Sequence, residues 1–209
     1  MKLYSWLMAQ CYDIAMQRTE RLCLQQWRRE LLAPGLGRTL EIGAGTGSNL
    51  PHYPRQETSL TLCEPDSWMR RQLNKRLARQ TACGQIKVNS WSAEQIELPD
   101  QSLDTVVSTL VLCSVTDQQQ ALKEISRVLR PGGQLLFIEH VRSDNEKTAR
   151  WQHRIEPFWR CACGNCHLTR DTMLGIENCG LQIEELQDAE MCAAPAIVRR
   201  TLRGRARKH

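Results

Sequence analysis

The segment Leu40-Glu41-Ile42-Gly43-Ala44-Gly45-Thr46-Gly47 constrains the fold of this chain more than any other. An apolar run of strand character passes directly into a turn with three glycines at alternate positions. Glycine adopts positive φ at little cost and lets a backbone come close to a ligand. In open α/β sheets, ligands sit outside the carboxyl ends of the strands, where such a turn lies. The spacing is G-x-G-x-G and not the G-x-G-x-x-G of dinucleotide binders. Glu41, just before the turn, would repel a phosphate and suits a ligand with an ammonium group.

Around this turn the chain alternates between two periodicities. Arg38–Ile42, Ser59–Cys63, Ile86–Asn89, Leu103–Leu110 and Gln134–Glu139 read as strands. Asp66 is placed to cap a helix bearing Met69, Leu73 and Leu77 on one side; Asp117 caps another with Leu122, Ile125 and Leu129. Pro131-Gly132-Gly133 stops that second helix, and a third helical segment lies near Lys147–Trp159. Leu181–Leu186 and Ala196–Leu202 are further strand candidates. The alternation predicts an α/β fold: a doubly wound, mostly parallel sheet. Before it, Leu3, Leu7, Cys11, Ile14, Ala15, Leu24, Trp27 and Leu31 keep helical spacing, so residues 1–33 form a helical arm or lid of one or two helices. Pro34-Gly35 and Gly37 end it. The main domain is expected over 34–202 and a basic tail over 203–209.

Composition excludes other classes. A chain of 209 residues fits one domain with an arm, and 41% hydrophobic with 24% charged residues is ordinary for a globular protein. No run approaches the ~18 apolar residues of a membrane span, and Met1 to Gln10 shows no signal-peptide pattern. The net charge of +5 is local. Without Arg199, Arg200, Arg203, Arg205, Arg207 and Lys208, 22 basic residues stand against 23 acidic ones. No nucleic-acid partner is therefore expected, and the tail reads as a solvated end, with anionic lipid or RNA as the alternative contact. Of the ten cysteines, Cys11, Cys23, Cys63, Cys83, Cys113, Cys179 and Cys192 are scattered, mostly among apolar neighbours, as small buried hydrophobes in a reducing cytosol. Cys161, Cys163, Cys166 and His167 contain C-x-x-C-H and could offer metal ligands. They crowd into one short segment without a second ligand pair, so no metal site is assigned and they read as incidental thiols.

Two further elements describe the ligand. Glu64 ends the second strand, where an acid in such sheets bonds ribose hydroxyls. Ser92-Ala93-Glu94 follows the third strand, where a polar side chain and backbone amides can read an adenine edge; a helix N-cap at Ser92 is the alternative. Together these elements describe a nucleoside with ribose hydroxyls, a cationic tail and no phosphate, a description that S-adenosylmethionine fits.

The motifs LEIGAGTG, CEPD, SAEQIELPDQSLDTVVSTLVLCSV and LRPGGQLLFIEH resemble the series of class I S-adenosylmethionine-dependent methyltransferases over roughly residues 38–140. More narrowly, TLVLCSV, RVLRPGG, EHV and GNCHLTRDT are similar to the thiol S-methyltransferases and their bacterial relatives. The resemblance implies a seven-stranded sheet with a final antiparallel hairpin. It implies that Glu41, Gly43, Ala44, Gly45 and Gly47 hold the methionine moiety. Glu64 then holds the ribose, Ser92 and Ala93 the adenine, Thr109 and Leu110 flank the cofactor, and Pro65 is a further cofactor-binding residue. Tyr12 corresponds to a lid tyrosine. The expected acceptor is a small apolar thiol; a lipid, quinone or amine is the alternative, and a non-catalytic cofactor- or RNA-binding module a remote one. His140, just past the fifth strand, is the expected catalytic base or acceptor orienter, with a structural histidine as the alternative; His153 and His167 are further candidates. Trp151, Phe158 and Trp159 could wall an apolar pocket. A cytoplasmic enzyme is expected, with peripheral membrane contact left open and the oligomeric state unassigned.

Overall fold

The computed structural model describes residues 2–33, 35–54, 59–79 and 86–209; Pro34 and Cys83 lie outside them, and Lys2 and Leu3 are described by their backbone alone. The strands are β1 (Arg38–Ile42), β2 (Ser59–Cys63), β3 (Ile86–Asn89), β4 (Leu103–Thr109), β5 (Leu129–His140), β6 (Leu181–Glu190) and β7 (Arg200–Lys208). They form one sheet in the order β3-β2-β1-β4-β5-β7-β6. All neighbours from β3 to β5 pair in parallel, and β7 runs antiparallel to both β5 and β6. The expected doubly wound, seven-stranded sheet with a helical arm is therefore present. From β1 the chain winds outward through β2 and β3, then returns to place β4 on the other side of β1. That reversal opens a crevice at the carboxyl ends of β1 and β4.

Burial explains the strand sequences. In β4 and the second half of β5 nearly every residue is buried, as parallel strands covered on both faces require. One face packs Leu40, Ile42, Val106, Leu135 and Phe137 against Leu122 and Ile125 of α4 (Gln118–Val128). The other packs Leu60, Leu62 and Val107 against Leu73 of α3 (Ser67–Leu77). Both expected caps form: Asp66 accepts from the amides of Trp68 and Met69, and Asp117 from that of Gln120. Pro131-Gly132-Gly133 falls within β5, where the register with β4 shifts. The expected third helix is α5 (Glu146–Ala162), capped by Asn145.

The arm is α1 (Lys2–Thr19), one π turn over Glu20–Leu24, and α2 (Gln25–Leu31). The π turn sets Cys23, Leu24 and Trp27 on Ile138, Met191 and Ala194. No described helix is long and apolar enough to cross a membrane.

The C-terminal end departs from expectation. Ala196–Leu202 is not a strand: Ala196–Arg199 makes one helical turn after Pro195, and β7 begins at Arg200. Residues 203–208, expected as a basic tail, are most of β7. Leu202 and Ala206 are buried in the core, and the charges between them are paired. Arg205 meets Glu184 and Glu185, Arg207 meets Glu184, and Arg203 meets Glu30 while its guanidinium lies over Trp27.

Candidate active site

The crevice between β1 and β4 carries most of the residues singled out from the sequence. Gly43, Gly45 and Gly47 all have positive φ, of 53°, 56° and 89°. At Gly43 a Cβ would meet Val111 at 2.6 Å, so this glycine lets the turn pack on the loop after β4. At Gly45 the nearest atom to a Cβ would be 3.9 Å away. Its glycine therefore leaves room beside the turn for a ligand.

Glu64 is buried at the end of β2, and its two oxygens take the amide of Gly45 at 2.7 Å and that of Asp66 at 2.8 Å. Burial pushes its carboxyl up, against those two amides. Each oxygen keeps a lone pair for a hydroxyl. Pro65, next to it, is exposed. Ser92 does not cap a helix; Ser92 and Gln95 close a turn by a single bridge, with Ala93 buried inside it.

Glu41 lies buried near the end of β1. Its oxygens accept from Asn49 Nδ2 at 3.0 Å and Tyr53 Oη at 2.7 Å. Burial pushes its carboxyl up to about 7, opposed by the Tyr53 bond and the Arg28 charge. Thr109 accepts at Oγ1 from Asn49 and from Arg28 Nη1, both at 3.0 Å. Leu110 follows with φ of 61°, a conformation that a branched side chain adopts only where its surroundings enforce it.

Sequence reasoning missed Arg28 and Asn49. Arg28 is buried on α2, bonded to Asn49 at 2.7 Å, to Thr109, and to Glu20 at 2.9 Å. Its sequence signal is slight: a cation next to Trp27 on the apolar side of a helix. The arm closes over the turn through Asp13, which accepts from Thr46 and pairs with Arg76, each at 2.5 Å. Tyr12 lies alongside, and burial pushes its hydroxyl up to about 12 within reach of the charges of Arg28 and Cys113.

His140 ends β5 and is 5% exposed. It is joined there by two cysteines that the sequence keeps far apart. Nε2 of His140 lies 2.8 Å from Sγ of Cys166, and one donor atom from each of Cys113, His140 and Cys166 lies within 4.8 Å of the other two. Among the described residues this is the group arranged to hold a metal ion. The bond from the Cys166 thiol and the adjoining imidazole hold Cys113 well below the usual thiol range, despite burial. Its charge keeps His140 above the ordinary imidazole value, again against burial.

The crowded segment of the sequence is dispersed. Cys161 is exposed, Cys163 half-buried, and His167 turns to Glu156 at 3.4 Å. Only Cys166 joins the buried group. Trp159 donates to its sulfur at 3.1 Å, while Trp151 and Phe158 are exposed and line nothing in this crevice.

Known proteins share this arrangement of sequence and fold. A family model described as a methyltransferase domain matches residues 40–137. The chain is similar to Thiol S-methyltransferase TMT1A of Homo sapiens, 33% identical over 171 residues that make up 81% of this chain and 70% of that protein. It is similar to Thiol S-methyltransferase TMT1B of Homo sapiens, 38% identical over 157 residues, 74% of this chain and 63% of that protein. The chain thus spans under two thirds of the length of the TMT1B relatives, 60% of the Rattus norvegicus protein and 63% of the human one. The solved structure of a SAM-dependent methyltransferase from Thermotoga maritima shares the fold, with a TM-score of 0.70 at 19% identity, covering 98% of this chain and 100% of that one.

Proposed function

We propose that this chain, which belongs to the methyltransferase family of the thiol S-methyltransferases, moves the methyl group of S-adenosylmethionine to the sulfur of an apolar small-molecule thiol. The observation that carries the proposal is a juxtaposition at one sheet edge. A cradle of glycines and acids at β1 and β2 adjoins a buried cluster of two sulfurs and an imidazole beyond the ends of β4 and β5.

The residues fit the cofactor. The open side of Gly45 admits a ligand against the turn, and Glu64 keeps acceptor capacity for ribose hydroxyls. Ser92 and buried Ala93 form the edge for the adenine. Glu41 supplies the negative charge that a ligand ammonium calls for, and Arg28 supplies a positive one for the carboxylate of the same amino-acid moiety. Thr109 and strained Leu110 wall the cofactor on the β4 side, and Tyr12 closes it from the arm. When bound, S-adenosylmethionine supplies a methyl group already activated on a sulfonium, so the protein needs no covalent intermediate.

What remains for the chain is to orient the acceptor and stabilise its thiolate. A nucleophile must be held within about 3–3.5 Å of the reacting carbon, in line. A free thiol has a pKa of about 8.5, so a nearby positive centre is enough to ionise it. The His140 imidazole, held above its ordinary value by Cys113, stands at that edge and is assigned as the acceptor's orienting residue. All nine described cysteines are free thiols, which supports a reducing, cytoplasmic setting.

The test is a methyl-transfer screen over small thiols, phenols, quinols, amines and phospholipid head groups, with products identified by mass. S-methylated apolar thiols are expected. Turnover of a quinol or amine with inert thiols overturns the acceptor, and no turnover together with no binding of S-adenosylmethionine overturns the whole reading.

A further inference from the structure

We propose that Cys113, His140 and Cys166 are three ligands of a zinc ion whose fourth position takes the sulfur of the acceptor; the fourth-position part rests on the thiol reading above. The three come from three separate elements: the loop after β4, the end of β5, and the loop after α5. All are buried, at 1%, 5% and 8% exposure. Two sulfurs and one imidazole nitrogen within 4.8 Å of one another are a donor set that suits zinc. Tetrahedral zinc with bonds of about 2.3 Å to sulfur and about 2.0 Å to nitrogen needs donors about 3.5–3.8 Å apart. The 2.8 Å between His140 Nε2 and Cys166 Sγ is below that spacing, so holding zinc requires this pair to part by about 0.7 Å.

The scaffold around the donors is fixed. Carboxylate oxygens of Glu139 accept from the amides of Val111, Leu112 and Cys113, which pins the first loop. The amide of His167 donates to the Cys113 carbonyl at 2.8 Å, which ties the second loop to the first. Trp159 can only donate, and its indole N–H points at Cys166 Sγ. A donor aimed at sulfur is the kind of outer contact that metal thiolates receive.

Three protein ligands leave one position open, as in catalytic zinc sites. An acceptor thiol entering it loses its S–H proton to water as the zinc–sulfur bond forms. Its sulfur keeps a lone pair for the methyl group. As the new S–CH3 bond forms, the sulfonium–CH3 bond breaks and its electron pair stays with the departing thioether. The methylated product is a neutral thioether and a poorer zinc ligand, so it leaves. No oxidation or reduction occurs.

The full-length chain, purified under reducing conditions, is dialysed after exposure to zinc sulfate or to cobalt chloride. Elemental analysis should give one zinc per chain. The cobalt form should show a sulfur-to-metal charge-transfer band and the strong visible bands of tetrahedral cobalt. Cys113→Ser and Cys166→Ser should each lose the metal, and Cys192→Ser at an exposed site should keep it; circular dichroism melts confirm that each variant is folded. Adding thiophenol should shift the visible bands of the cobalt form. Zinc at background level, a cobalt spectrum without the sulfur band, metal retained in both buried variants, or a Cys113–Cys166 disulfide found by mass in place of metal overturns the site. An unmoved cobalt spectrum with thiophenol overturns the open position. Metal binding without methylation of any thiol would overturn the acceptor reading and leave the zinc site standing.

Discussion

Single residues of the crevice carry two separable duties, and substitution distinguishes them. Glu64 both laces the glycine turn through Gly45 and faces the proposed ribose. Glu64→Ala removes charge-assisted bonds worth roughly 1.5–3 kcal/mol each. Calorimetric affinity for S-adenosylmethionine should fall at least about tenfold, and unchanged affinity in a folded variant would refute the role. Glu41 yields a pH prediction. Its carboxyl is raised by burial from 4.5 to about 7, so between those values the folded chain keeps a proton that the unfolded chain has lost. The contribution to stability is fully present below the lower value and is lost as pH rises through the window. Glu139, raised in the same way to about 7, adds to the slope. The cofactor-free protein should melt at lower temperature at about pH 7.5 than at about pH 5, and Glu41→Gln should flatten that slope. An ammonium ligand needs Glu41 ionised, so affinity for S-adenosylmethionine should climb with pH through about 7 and then level off.

The elements differ in how far the sequence announces them. The glycine turn, the place of Glu64 at the end of β2 and the caps at Asp66 and Asp117 follow from neighbouring residues, and the structure forms each of them. The place of His140 at the end of β5, the edge where such sheets face ligands, is legible in the same way. Arg28 and Asn49 are not, because Arg28 reaches Asn49 and Thr109 only after α2 docks on the sheet, and Asn49 reaches Thr109 only once β4 lies beside β1. Cys113 reads as a scattered thiol and Cys166 as one of a crowded segment until the loops after β4 and α5 converge. The arm therefore does more than cover apolar surface. Arg28→Lys keeps the charge but not the fork that holds Glu20, Asn49 and Thr109 together. The KM for S-adenosylmethionine should rise several-fold with little change in melting temperature, and hydrogen exchange over Gln25–Leu31 should quicken. An equal KM would show that Arg28 only fastens the arm.

At the scale of the whole molecule, the misread tail is instructive. A run of arginines without acids suggests solvent when each residue is judged by its sequence neighbours. The acids that neutralise it lie on β6 and on α2, brought alongside by the antiparallel pairing. β7 thereby holds the edge strand β6 to β5, the strand that ends in His140. Gly204 is the tightest point of that arrangement. It stands between Phe137 of β5 and Leu186 of β6, and a Cβ there would lie 2.0 Å from the carbonyl oxygen of Glu185. The obstacle is backbone, so no side-chain rotation relieves it, and β6 must move away from β7. Gly204→Ala should cost roughly 4 kcal/mol or more, the range reserved for overpacking and broken networks. Gly132 is the control. Its φ is 75°, yet nothing lies within 4 Å of a Cβ, so Gly132→Ala meets only backbone strain of about 1 kcal/mol. Differential scanning calorimetry of the two variants should show a much larger fall in melting temperature for Gly204→Ala. Losses of equal size would mean that β7 and β6 separate easily, and that the C-terminal hairpin is not what holds the outer edge of the sheet.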